Sequence, residues 1–169
     1  MSDVGGFSTL SDITSVEELL RLSRDGELKR IAGVSDEGIE IGLEIAEWYI
    51  SNGLYSKACA LYDMLTLLKP YSFDILSGYC YCLHKAGKNT VALHGASEMI
   101  KTCPDDPRGY FLSGCVNLAI RRVEDACSFF TKASALAKED GDFVHIVEES
   151  ERILSAISDK VHLSEVAVN

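Results

Sequence analysis

The sequence repeats at a fixed interval, and this interval constrains the fold more than any other feature. Three alanines mark it, because Ala58, Ala92 and Ala126 each stand thirty-four positions apart. A small residue also stands twelve positions before each of them: Ala46, Cys80 and Gly114. Because small side chains let two helices approach closely, the pattern predicts three pairs of packed helices.

Glycine and proline recur at the same interval as the alanines. Gly53 and Gly87 stand five positions before the first two alanines, and Pro70 and Pro104 stand twelve after them. Glycine can end a helix in the left-handed conformation, and proline stops a helix or starts the following loop. These residues therefore predict where the helices of the first two units begin and end.

The landmarks resemble those of the tetratricopeptide-repeat family and predict an all-α superhelix of helix-turn-helix units. The repeat region spans residues 34–140, and its units are placed at 39–72, 73–106 and 107–140. The third unit departs from the pattern, because Arg121 stands at the turn position and Lys138 at the proline position. Each unit leaves an apolar face that a neighbour must cover, so the units are expected to stack.

Flanking segments complete the predicted organisation. A capping box at residues 15–18 starts an N-terminal helix over 15–33, and a C-terminal helix over 141–159 is expected to cover the end of the third unit. The tails, residues 1–14 and 160–169, are expected to be mobile.

Composition limits the possible partners and locations. The net charge of −10 argues against a nucleic-acid partner, which needs a basic surface. The start of the chain lacks a signal-peptide pattern, and no apolar run is long enough for a membrane span, so we expect no direct membrane insertion. Six cysteines lie in apolar helical pattern and are interpreted as reduced thiols of a cytoplasmic protein.

No motif indicates an enzyme, a metal site or a cofactor. The four histidines lack the spacing of zinc ligands, and the turn at Asp140 to Asp142 lacks the later acidic residues of a calcium loop. Cys80 and Cys82 are two positions apart on a helix and so point about 200° apart. We expect one of these thiols to face inward and the other outward, which excludes joint chelation of a metal.

The first helix of each unit is expected to line a concave groove that binds an extended peptide. Helical phase selects fifteen residues for this client-binding surface: Glu40, Leu43, Glu44, Glu47, Ile50, Ser77, Gly78, Tyr81, His84, Lys85, Arg108, Phe111, Leu112, Cys115 and Leu118. The set combines an acidic wall with apolar pockets, for which Tyr81 and Phe111 are the main candidates, and favours a client with apolar anchors and positive charge. Repeat packing is an alternative role for Leu43 and Leu118.

Over residues 15–158 the layout resembles the class II chaperones of bacterial type III secretion. The strongest local similarity lies in residues 52–58 and 79–88. The resemblance implies a cytoplasmic chaperone that binds hydrophobic translocator proteins before export. It also implies a client segment with a proline-leucine-proline type motif. Two alternatives remain open: a chaperone for a needle or filament subunit, and a scaffold or adaptor that uses the same groove.

The resemblance further implies self-association through the N-terminal helix and the first repeat. Apolar residues of this region could form such a homodimer: Leu19, Leu20, Ile31 and Trp48. Packing within the monomer explains these side chains almost equally well.

Overall fold

The computed structural model describes residues 9–166, and side-chain surroundings for residues 9–160. A short 3₁₀ helix at Leu10–Asp12 precedes the α-helices. These are α1 (Val16–Arg24), α2 (Glu27–Ile31), α3 (Asp36–Ser51), α4 (Tyr55–Leu68), α5 (Phe73–Lys85), α6 (Asn89–Thr102), α7 (Pro107–Ala119), α8 (Val123–Asp140) and α9 (Val144–Val166). No strand occurs among the described residues. The prediction of an all-α fold built from helix-turn-helix pairs is confirmed.

The chain divides into two compact units between Cys82 and Leu83, within α5. In the first unit, α3 packs against α4, and the short helices α1 and α2 pack against each other and against α4. A hydrogen bond joins α1 to α4, because the Ser23 hydroxyl donates to the carbonyl of Leu67 at 2.7 Å.

The small residues of the repeat lie where paired helices meet. Ala46 of α3 and Ala58 of α4 are fully buried, which is how the first unit brings its two helices together. In the second unit, Gly114 of α7 faces Phe130 of α8, and a β-carbon at position 114 would lie 2.8 Å from that ring. The close approach needs glycine here, because Phe130 occupies the space that a side chain would take.

The predicted turns adopt the backbone conformation that their positions require. Gly53 and Gly87 have φ angles of 70° and 78°, in the left-handed region. Arg121 stands at the same register position and has a φ angle of 64°. The third turn therefore keeps the geometry of the first two although it lacks glycine.

The N-terminal segment differs from the single helix expected over 15–33. It forms two helices, α1 and α2, because Gly26 between them has a left-handed φ of 74°. Ser15 caps α1 as expected, since its hydroxyl accepts a hydrogen bond from the Glu18 amide at 3.1 Å. Of the N-terminal tail, residues 1–8 lie outside the described residues.

The C-terminal helix is longer than the segment 141–159 that the sequence indicated. Gly141, with a φ of 80°, ends α8, and α9 then continues to Val166 without a glycine or proline to stop it. Residues 160–166, expected to belong to a mobile tail, are helical, and residues 167–169 lie outside the described part of the chain. In the second unit α9 packs against α8 and, less extensively, α7.

The expectation that only one of Cys80 and Cys82 is buried is wrong. Their exposed fractions are 1% and 0%. Cys82 lies close enough to Cys59 of α4 for that thiol to affect its pKa. Both thiols are therefore covered, although their spacing on the helix points them in different directions.

Candidate functional site

In the first unit the predicted surface is acidic along α3. Glu40, Glu44 and Glu47 are exposed, while Leu43 and Ile50 are half-buried beside them. Within the described residues none of the three carboxylates forms an ion pair with a lysine or arginine. This face of α3 therefore offers unneutralised negative charge next to partly accessible apolar side chains.

The α5 part of this surface is shaped by a buried tyrosine that sequence reasoning missed. A β-carbon at Gly78 would lie less than 3.0 Å from the ring of Tyr62 in α4. Burial, with the neighbouring Cys82 and Glu47, raises the pKa of Tyr62 to about 12. Gly78 is thus a packing position, and it allows the Tyr62 ring to lie close to the acidic face.

The predicted client-binding surface also includes Ser77 and Tyr81 of α5, and both are half-buried. Their neighbour Tyr79 points instead toward α4, where its hydroxyl donates a hydrogen bond to Asp63. Burial and this bond raise the pKa of Tyr79 well above its usual range. Tyr81 remains the α5 residue that helical phase selects for an apolar pocket.

In the second unit Arg108 is held at the start of α7. Its guanidinium pairs with Asp106 at 2.8 Å and lies 5.5 Å from the ring centre of Phe143. Asp106 also caps the helix, since it accepts a hydrogen bond of 2.9 Å from the Arg108 amide. Arg108 is therefore a positioned cation rather than a freely moving one.

Phe111 and Leu112 contribute more to the core than the sequence indicated. Phe111 is half-buried and packs edge-on against Phe130, with ring centres 5.7 Å apart. Leu112, which helical phase places on the client-binding surface, is only 4% exposed and belongs to the core. Leu112 is buried despite its helical phase, because α7 packs against α6, α8 and α9 and only a narrow strip of this helix remains accessible.

Further along the second unit, charged and thiol groups come together around Lys85. Lys85 is exposed, and its charge acts on both the Cys115 thiol and the Glu149 carboxylate of α9. Burial raises the pKa of Cys115 to about 11. Half-buried His84 lies nearby in sequence, with its Nδ1 atom 3.1 Å from Oδ1 of Asn89.

Leu118 lines a cavity of about 610 Å³ between the end of α7, the start of α8 and the second half of α9. Its apolar wall includes Val123, Ile153 and Ile157, and its polar rim includes Arg121 and Arg152. The alternative role of Leu118 in repeat packing thus has a partner in α9, although part of its side chain remains accessible.

The contribution of α9 to this surface is not among the sequence predictions, although the repeat register contains the signal. One repeat interval after Cys115 and Leu118 stand Glu149 and Arg152. Extending the interval once more would have selected both, because α9 begins as the first helix of a further unit.

Of the fifteen predicted residues, eight lie on α3 and α5 in the first unit and seven lie on α5 and α7 in the second. No group of three or more histidine, cysteine or acidic side chains within residues 9–160 could hold a metal ion. Among the described helices, none combines the length and the hydropathy that crossing a lipid bilayer requires.

No protein-family model matches the chain, and no curated protein matches it either.

Solved structures do match the fold. The translocator chaperone SycD of Yersinia enterocolitica type III secretion has a TM-score of 0.68 at 21% identity, over 73% of this chain and 92% of SycD. SycD in complex with a peptide of the translocator YopD gives a TM-score of 0.64 at 22% identity, over 75% of this chain and 96% of that one. PcrH of Pseudomonas aeruginosa, in complex with the chaperone binding region of PopD, has a TM-score of 0.67 at 21% identity, over 76% of this chain and 96% of PcrH. The chain has the fold of these chaperones.

Proposed function

We propose that this protein is a cytoplasmic chaperone of type III secretion, which binds translocator proteins before export. An extended segment of the client contacts the first helices of the repeat units, along the surface residues of α3, α5 and α7. The protein acts by binding and not by catalysis. By mass action, a bound segment is removed from the pool of client that can aggregate.

The observation that carries this proposal is the fold shared with translocator chaperones over almost their whole length. Between 92% and 96% of the SycD and PcrH chains is covered. In two of these structures the chaperone is in complex with part of a translocator, PopD or YopD. Because a fold alone can serve many functions, the surface chemistry has to support the same conclusion.

The surface chemistry of the first unit favours an extended client with basic residues. Glu40, Glu44 and Glu47 provide exposed negative charge, and half-buried Leu43 and Tyr81 provide apolar contact area. Apolar anchors give such a complex most of its affinity, and charge complementarity contributes association rate and specificity.

The client class is tested by purifying the tagged full-length protein from its native cell and identifying the bound proteins by mass spectrometry. A translocator chaperone should retain a protein with long apolar membrane segments. That client should aggregate when the chaperone gene is deleted. Recovery of a small helical needle or filament subunit would support the first alternative. A client that stays soluble without this protein would support the scaffold alternative.

The binding surface is tested with two matched charge reversals. Glu44→Lys and Glu148→Lys each replace one exposed glutamate of a helix, but only Glu44 lies on the proposed surface. We expect Glu44→Lys to weaken binding of the purified client about fivefold, which corresponds to roughly 1 kcal/mol. Glu148→Lys should leave the dissociation constant unchanged. Equal effects would place the client elsewhere on the molecule.

A further inference from the structure

The first unit carries an apolar stripe on α3 that the client-binding surface does not use. Ile41, Ile45 and Trp48 follow one another at helical spacing, and their exposed fractions are 49%, 44% and 58%. Three adjacent large apolar side chains with about half of their surface in water form a patch that favours association with another apolar surface.

The repeat register shows what normally covers this face. The equivalent positions one interval later, in α5, are Ile75, Tyr79 and Cys82, and two intervals later, in α7, they are Gly109, Ser113 and Val116. Ile75, Cys82, Ser113 and Val116 are at most 1% exposed. The same face of the first helix is thus covered in the second and third repeats and open in the first.

In both covered cases the second helix of the preceding repeat provides the contact. Tyr79 of α5 donates its hydrogen bond to Asp63 of α4. A β-carbon at Gly109 of α7 would lie 3.0 Å from the Ile100 side chain of α6. The stripe on α3 has no such neighbour among the described helices, because α1 and α2 make their main contacts with each other and with α4. A helix is therefore the shape that fits this face.

The charges beside the stripe indicate which kind of helix can bind there. Glu37, Glu40 and Glu44 are exposed along one border, whereas on the other side Lys57 lies 5.7 Å from the ring centre of Tyr49. An antiparallel two-fold pairing of α3 with a second copy would bring the acidic borders together, and each chain already carries a net charge of −10. A helix with basic residues beside its apolar ridge is complementary to the acidic border.

We propose that the stripe formed by Ile41, Ile45 and Trp48 binds an amphipathic helix of a partner protein, whose apolar ridge is bordered by lysine or arginine. This helix takes the place that the second helix of a preceding repeat occupies in the other units. Ile41, Ile45 and Trp48 lie outside the client-binding set, although Glu40 and Glu44 of the acidic border belong to it. Variants of the apolar stripe and of Glu37 therefore test this proposal independently of the binding of an extended client segment.

The probe is a synthetic amphipathic peptide without tryptophan, about 18 residues long, with leucine at positions i, i+3, i+4 and i+7 and lysine along one border. Trp48 is the single tryptophan of the chain, so its emission reports directly on the stripe. We expect the lysine-bordered peptide to shift the emission of the full-length protein to shorter wavelength in a saturable manner. A peptide with glutamate in place of lysine should bind at least tenfold more weakly.

Matched variants show whether the peptide binds at the stripe. Ile41→Ser with Ile45→Ser should weaken binding at least tenfold, with an unchanged circular dichroism spectrum. Val91→Ser with Val144→Ser changes apolar side chains of similar exposure, 53% and 56%, outside the stripe and should have no effect. Glu37→Gln, which lies outside the client-binding set, should weaken only the lysine-bordered peptide.

Two results would overturn the proposal. Equal binding by the stripe variant and the control variant would mean that the peptide attaches nonspecifically. An emission shift that depends on protein concentration alone, with a dimer mass in analytical ultracentrifugation, would mean that a second copy of this chain covers the stripe.

Discussion

The ring of Tyr62 occupies the space beside Gly78 that any other residue at position 78 would fill. A β-carbon there would come within 3.0 Å of three ring or hydroxyl atoms, and Tyr62 itself is only 3% exposed. The contact links the second helix of the first repeat to the first helix of the next, and only a residue without a side chain permits it.

We therefore expect Gly78→Ala to lower the free energy of unfolding by about 1–3 kcal/mol, because a buried aromatic ring must move to accommodate the methyl group. Ser77→Ala, one position earlier on the same helix, should change it by less than about 0.5 kcal/mol. Urea denaturation followed by circular dichroism measures both. Adding Tyr62→Phe to Gly78→Ala removes one of the three clashing atoms. The double variant should therefore lose less unfolding free energy than the two single variants lose in sum.

The turn at Arg121 yields a second prediction. Its φ of 64° is strained for a residue with a β-carbon, whereas glycine adopts this conformation readily at Gly53 and Gly87. Arg121→Gly should raise the free energy of unfolding by about 1 kcal/mol, and Gly87→Ala should lower it by at least that amount. Thermal denaturation measures both variants, and a higher melting temperature for Arg121→Gly with a lower one for Gly87→Ala would support backbone strain at Arg121. A lower melting temperature for Arg121→Gly would mean that the arginine side chain makes a compensating contact.

The repeat interval was sufficient to predict α3 to α8, because each small residue or turn glycine has one packing or conformational task. It could not predict that Arg121 keeps a left-handed turn, since a residue with a β-carbon is disfavoured in that conformation. Nor did helical phase predict the burial of Cys82. Phase identifies the face of a helix, whereas burial depends on how many neighbours pack around it. Cys82 and Trp48 share a register position, yet only Cys82 has a covering helix among the described residues.

The raised pKa values of the buried thiols predict alkaline instability. Burial raises the pKa of Cys80 to about 11 and that of Cys82 to about 12, from an ordinary value of 9.0. Above pH 9 the unfolded chain loses these protons while the folded chain keeps them. The unfolded state is thereby favoured, and stability should fall progressively between about pH 9 and 12.

Equilibrium denaturation in urea at pH 8, 9, 10 and 11 measures this slope. Cys82→Val places at this position the residue that its register equivalent, Val116, already has in a fully buried site. The variant removes one titrating thiol and should flatten the decline above pH 9. An identical slope in the variant would mean that Cys82 does not contribute to the alkaline transition.

Phe111 contributes to packing as well as to the proposed client-binding surface. Because its ring packs against Phe130 and against the cluster of Ala133, Ala137 and Ile146, Phe111→Ala should lower the free energy of unfolding by about 2 kcal/mol. Client binding by this variant is informative only at temperatures where its circular dichroism signal matches that of the wild type. Full stability of Phe111→Ala would instead assign the ring to the surface alone.

Asp106 combines two interactions that substitutions can separate. Its carboxylate caps α7 at the Arg108 amide, 2.9 Å away, and pairs with the Arg108 guanidinium at 2.8 Å. Asp106→Ala removes both interactions and should cost about 1–2 kcal/mol of unfolding free energy, whereas Asp106→Asn keeps a capping oxygen and should cost less than about 1 kcal/mol. High salt should reduce the loss in the asparagine variant, because screening already weakens the ion pair in the wild type. If alanine and asparagine are equally destabilising, the capping oxygen contributes nothing to stability. If the loss in the asparagine variant is also the same at low and high salt, the ion pair contributes nothing either.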